Sequence, residues 1–89
     1  MADVAEKVVI VTGGARGMGR SHCKVLGAAG AKVIVADILE DEGSAIAKEI
    51  GENARFARLD VTDAQSWSAV VAAGEGAFGT ITALVYNGG

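Results

Sequence analysis

Residues 7–21 read KVVIVTGGARGMGRS: an unbroken apolar run, then four glycines within seven residues, then polar and basic side chains. The run is rich in β-branched residues and reads as a strand. Bare backbone directly after it marks a tight turn. Residues 17–29 have helical length and composition, so the order is strand, glycine turn, helix. A helix that starts there aims its unpaired N–H groups back at the turn, and that makes an anion site. The chain must therefore hold a strand's carboxyl end against a helix N-terminus, which points to an α/β architecture.

The rest of the sequence repeats the alternation. Residues 7–12, 31–37, 54–60 and 82–87 read as strands, and residues 17–29, 40–50 and 64–78 as helices, with Ile46 and Ile50 at i, i+4 and Val70 near Trp67. The order βαβαβαβ implies a parallel sheet, and continuous apolar runs such as VVIV and VIV suit strands covered on both faces. There is no proline, so turns fall to glycine. Gly30, Gly51 and Gly79 each follow a helical segment, where a left-handed cap is expected. The expected fold is a Rossmann-like, doubly wound parallel sheet of four strands in the order 3-2-1-4. The first two helices lie on one face and the third on the other. Its ligand crevice falls between strands 1 and 4, where the winding reverses.

With 89 residues the chain has room for one domain, and residues 1–89 are expected to form a single half-domain. A formal charge of -3 gives a nucleic-acid backbone no general attraction. No apolar run approaches the span of a bilayer, and the single Cys23 closes no intramolecular disulfide, so neither nucleic acid nor membrane is an expected partner and a reducing cytoplasm fits best.

Within the turn, Gly13 permits the reversal, Gly17 lets a pyrophosphate approach the backbone, and Gly19 removes a side chain where helix and strand pack closely. The spacing Gly-x-x-x-Gly-x-Gly is one residue longer in its first gap than the common G-x-G-x-x-G pattern. Asp37 follows Gly19 by eighteen residues and closes the second strand, where a carboxylate accepts hydrogen bonds from adenosine ribose hydroxyls.

Through TGGARGMG, VIVAD, LDVTD (residues 59–63) and the terminal YNGG, the chain resembles the N-terminal half of the short-chain dehydrogenase/reductase family. That resemblance spans essentially the whole chain. It implies an NAD-binding half of an oxidoreductase in which Gly13, Arg16, Gly17, Met18 and Gly19 face the cofactor. Asp37 takes the ribose, beside Ile38 where NADP-preferring relatives often carry a basic residue. Asp60 with Val61 borders the adenine, and Asn87 and Gly89 fit the family's Asn-Asn-Ala-Gly element. Tyr86 and Gly88 depart from that element, standing where the family has Asn and Ala. GRSHC (residues 19–23) is similar to some steroid and terpenoid alcohol dehydrogenases, too short a likeness to name a substrate.

Complete family members transfer a hydride between nicotinamide and an alcohol or ketone with a Ser, a Tyr and a Lys in a Tyr-x-x-x-Lys arrangement. The only tyrosine here is Tyr86, with no lysine after it, so no catalytic residue is assigned and the chain alone is expected to be inactive. A truncation, a proteolytic fragment and a designed half-domain all fit. A second reading is a structural half-domain that self-associates, or pairs with a complementary C-terminal half, through strand 4, an apolar edge without proline or charge. A third is a phosphate-loop nucleotide binder, because GARGMGRS (residues 14–21) matches G-x-x-x-x-G-K-[ST] except that Arg20 replaces the lysine.

The other polar residues have plainer readings beside these. Arg16 either reaches a cofactor phosphate or is solvated, Asp37 either takes the ribose or caps the next helix, and Asp60 has a weaker case because Thr62 and Asp63 already offer N-caps for the third helix. His22 and Cys23 have no partners at metal-ligand spacing, so no metal is expected. Trp67 and Phe78 read as core or interface residues.

Overall fold

The computed structural model describes residues 4–86. After a short 3-10 turn at Val4–Glu6, strands β1 (Val8–Thr12), β2 (Lys32–Asp37), β3 (Ala54–Arg58) and β4 (Ala83–Val85) alternate with helices α1 (Gly17–Ala28), α2 (Glu40–Ile50) and α3 (Ala64–Phe78). The sheet is parallel throughout, as the alternation implies, and its order β3-β2-β1-β4 is the one expected of the Rossmann-like fold.

Period-two alternation of branched residues builds a core on each face. Val9 and Val11 stand in register with Val33 and Val35, and these four pack with Cys23 of α1 and Ile46 and Ala47 of α2. On the opposite face Ile10, Ile34 and Ala36 pack with Leu59 and with Val70 of α3. Burying a Val or Ile side chain fully is worth about 1.5–3 kcal/mol. Every residue of β1 is buried, so the strand that carries the glycine turn is anchored from both sides. Trp67 and Phe78 join the α3 core as half-buried members, and the Arg55 guanidinium lies over the Phe78 ring, 5.3 Å from its centroid.

Several boundaries differ from the sequence reading. Strand β3 ends at Arg58, because Leu59 turns into the core under α3 while the Asp60 carboxylate closes a local turn. Strand β4 has only three residues. Ahead of it the Thr82 hydroxyl takes the place of a ladder bond, accepting from the Val8 N–H at 2.8 Å. Gly30, Gly51 and Gly79 all have positive φ, but Gly51 and Gly79 combine φ of 101° and 94° with ψ of -145° and -160°. That is an extended region open essentially to glycine alone, not the left-handed helical cap expected. Among the described residues no helix is long and apolar enough to cross a membrane.

Candidate functional site

The carboxyl ends of β1, β2 and β3 bring three sequence segments to one edge of the sheet: the glycine turn, the end of β2 at Asp37, and the loop from Leu59 to Asp63.

The turn is held by its own backbone and by Asp37. Gly13 and Gly17 adopt φ of 63° and 55°, left-handed values that glycine tolerates without penalty. A Cβ on Gly19 would sit 1.9 Å from the Gly13 carbonyl oxygen, so the close approach that requires glycine is to the turn itself and not, as expected, to the strand. A Cβ on Gly17 would meet nothing within 4 Å; that residue borders open space, as do exposed Arg16 and Met18. Helix α1 begins without a side-chain cap from Arg16 and without an acidic residue in its first turn. By contrast, α3 is capped by Asp63, whose carboxylate accepts from the Gln65 N–H at 2.9 Å. The N-terminal N–H groups of α1 have no intrahelical acceptors, and they are left available to an anion from outside.

Asp37 is half-buried and doubly bound: its Oδ2 accepts from the Ala15 N–H at 3.1 Å and its Oδ1 from the Leu39 N–H at 2.9 Å. It therefore ties the glycine turn to the start of α2. A carboxylate offers about four lone-pair positions, so two remain for further donors. The Leu39 bond is an Asx turn, legible from an aspartate at a strand end; the Ala15 bond spans the chain and has no local signature. Gly14 donates its N–H to the Ala36 carbonyl, 3.2 Å away, a second tie between turn and β2.

Arg16 is not simply solvated. Its Nη2 lies 2.9 Å from Oε2 of Glu42 in the first turn of α2, and that contact holds the Glu42 carboxyl below its usual range. The sequence reading missed Glu42, since no local spacing links it to Arg16.

In the third segment the Asp60 carboxylate accepts from the Thr62 N–H at 3.0 Å and from the Thr62 hydroxyl at 2.6 Å, which lowers its pKa. The Asp60 N–H donates to Ser66 Oγ, and Trp67 Nε1 donates to the Val61 carbonyl. These bonds fix the loop against α3 and leave the Val61 side chain exposed. Met18, Ile38 and Val61 are all exposed apolar residues at this edge. Beneath the turn, Cys23 is wholly buried. Desolvation, with a smaller contribution from Asp37, pushes its thiol up to about 12, so it is a neutral packing group. His22 is half-buried, with a buried Nδ1 that has no partner among the described residues. The described residues hold no cluster of three potential metal ligands. The expected sites at Asn87 and Gly89 lie outside the described residues.

The short chain dehydrogenase family model matches residues 7–89. Trans-4-hydroxycyclohexanecarboxylate dehydrogenase of Sinomonas cyclohexanicum is 50% identical over 97% of this chain and 37% of its own length. 3-alpha-(or 20-beta)-hydroxysteroid dehydrogenase of Mycobacterium bovis is 49% identical over 93% of this chain and 32% of its own length. The crystal structure of hydroxysteroid dehydrogenase from Escherichia coli superposes with a TM-score of 0.86 at 29% identity, over 98% of this chain and 40% of that one. The chain thus spans about a third of the length of these curated relatives. Glycine turn, strand order and similarity agree: the chain belongs to the short-chain dehydrogenase family.

Proposed function

We propose that this chain is the NAD(H)-binding half of a short-chain oxidoreductase. The observation that carries the reading is the uncapped start of α1, open at Gly17 and latched by the Asp37 carboxylate at Ala15. In this reading the pyrophosphate lies against the turn formed by Gly13, Arg16, Gly17, Met18 and Gly19, where helix N–H groups and the macrodipole favour negative charge. Asp37 gives its two remaining acceptor positions to the ribose hydroxyls, with Ile38 beside it. Asp60 and Val61 border the adenine, and Asn87 and Gly89, outside the described residues, are assigned by sequence to the family's Asn-Asn-Ala-Gly element. The residues present fit such a group: donors meet the phosphates, acceptors meet the hydroxyls and exposed apolar side chains meet the base.

Bound nicotinamide would supply a hydride donor or acceptor. The described residues contribute binding and orientation but no tuned proton donor, and the family's alcohol or ketone chemistry belongs to complete members. A cytoplasmic location belongs to the same reading.

Calorimetric titration tests it. NAD should bind more tightly than NADP, because a 2′-phosphate brought to ~4 Å from Asp37 meets repulsion of about 1–4 kcal/mol. Equal affinity for the two, or binding of ATP with magnesium in preference to either, overturns the reading.

A second reading is favoured by the β4 edge, where Leu84 is 53% and Tyr86 58% exposed. We infer that this edge is covered, either by a second copy of the chain or by a complementary C-terminal half.

A further inference from the structure

We propose that Glu42 is a specificity-determining residue of the cofactor site, acting through Arg16; the proposal rests on the NAD reading above. Asp37, Arg16 and Glu42 stand at the rim between the glycine turn and the first turn of α2, which also carries Glu40 and Asp41. Asp37 holds the Ala15 N–H, next in the chain to Arg16, and holds the Leu39 N–H, three residues before Glu42. The Gly43 N–H donates to the Leu39 carbonyl at 2.9 Å, so the first turn of α2 is fixed to the same anchor. Glu42 Oε2 in turn meets Arg16 Nη2 at 2.9 Å, and the Asp37 charge acts on Glu42 across this rim.

A guanidinium released beside Asp37 would present a planar fork of N–H donors, the geometry that best receives a phosphate monoester. Glu42 occupies that fork and returns the rim to net negative charge. Asp37 is not spared for this role, since two of its acceptor positions hold backbone N–H groups and the two that remain are the ones the NAD reading gives to the ribose hydroxyls. A ribose carrying free 2′ and 3′ hydroxyls loses nothing from the arrangement, because hydroxyls need acceptors and not a cation. A ribose 2′-phosphate loses the fork of N–H donors that Arg16 would otherwise offer. Glu42 thus acts as a positioning residue, discriminating against the phosphate by holding Arg16.

The test measures equilibrium binding of NAD and NADP to the full 89-residue chain by calorimetry at low salt, without reference to activity. Glu42→Gln keeps the side-chain shape and should leave NAD affinity within about twofold. It should strengthen NADP about three- to fivefold, the modest scale of exposed charge pairs. Adding Arg16→Ala to Glu42→Gln should return NADP to its original weakness, and 0.5 M salt should erase the difference. An unchanged NAD-to-NADP ratio in Glu42→Gln overturns the proposal while leaving the NAD reading intact. A gain in NADP affinity that persists without Arg16 also overturns it, because Glu42 would then act by its own charge. If the parent chain binds neither dinucleotide, both fall together, a result distinct from the other two.

Discussion

At the scale of single residues, the glycines of the turn do different work. Gly19 is excluded from carrying a side chain by the backbone of Gly13, which cannot move without opening the turn. Gly17 is constrained only by its φ of 55°, with space around it. Left-handed backbone costs a residue with a Cβ about 1–2 kcal/mol. Gly17→Ala should therefore fold with stability reduced by about that amount, while its methyl intrudes on the proposed pyrophosphate position and weakens NAD binding. Gly19→Ala must displace backbone, and its cost should exceed that of Gly17→Ala by about 1 kcal/mol or more. Urea unfolding followed by circular dichroism compares them. A larger loss in Gly17→Ala would mean that conformation, not close approach, governs the turn.

At the scale of elements, a side chain replaces backbone where β4 joins the sheet. The Val8 N–H donates to Thr82 Oγ1, and the Thr82 N–H and hydroxyl both donate to the Val8 carbonyl. Thr82→Val keeps the shape but leaves a part-buried β1 donor unpaired, a loss of about 1–3 kcal/mol. Hydrogen exchange at Val8 and along β4 should quicken in the variant, and unchanged protection there would show that the hydroxyl is dispensable. This substitution of side chain for ladder also explains why residues 82–87 read as one strand in the sequence while the structure starts β4 at Ala83. Strands β1 and β2 were legible because unbroken branched residues have no other place than between two helical layers. Strand β3, which carries Arg55 and Arg58, was legible by its position between two helices, but its end was not: the Leu59 side chain turns into the core under α3 while its N–H still donates to the Asp37 carbonyl, and Asp60 closes a local turn. The site divides similarly. Gly13, Gly17, Gly19 and Asp37 announce themselves by spacing, whereas the Ala15 N–H and Glu42 become partners only through the fold, since a backbone donor and an ion pair across 26 residues leave no local pattern.

At the scale of the whole molecule, the two faces of the sheet are finished differently. The exposed surface of α2 carries Glu40, Asp41, Glu42, Lys48 and Glu49, with Glu42 paired to Arg16 and Glu49 to Lys24. The outer side of α3 carries Ala69, Val71, Ala72, Ala73, Gly76 and Ala77, with Glu75 the single charge between residues 64 and 78. Leu84 extends this surface. It pairs in register with Ile10, whose side chain points to the α3 face, yet Leu84 is 53% exposed because α3 lies over the other strands. Apolar helix surface continuous with an unpaired strand edge is an arrangement that water penalises and a second protein surface relieves. Val85 is a poor probe of that relief, because it points to the other face and packs against the α1 and α2 core. Leu84→Lys adds a charge at the exposed position without touching either core. Light scattering of the parent at micromolar concentration should give at least twice the mass of one chain, and Leu84→Lys should bring it to the mass of one chain with its helical signal retained. A parent that is already monomeric and soluble would remove self-association as the means of covering this face, leaving only a complementary half to do so.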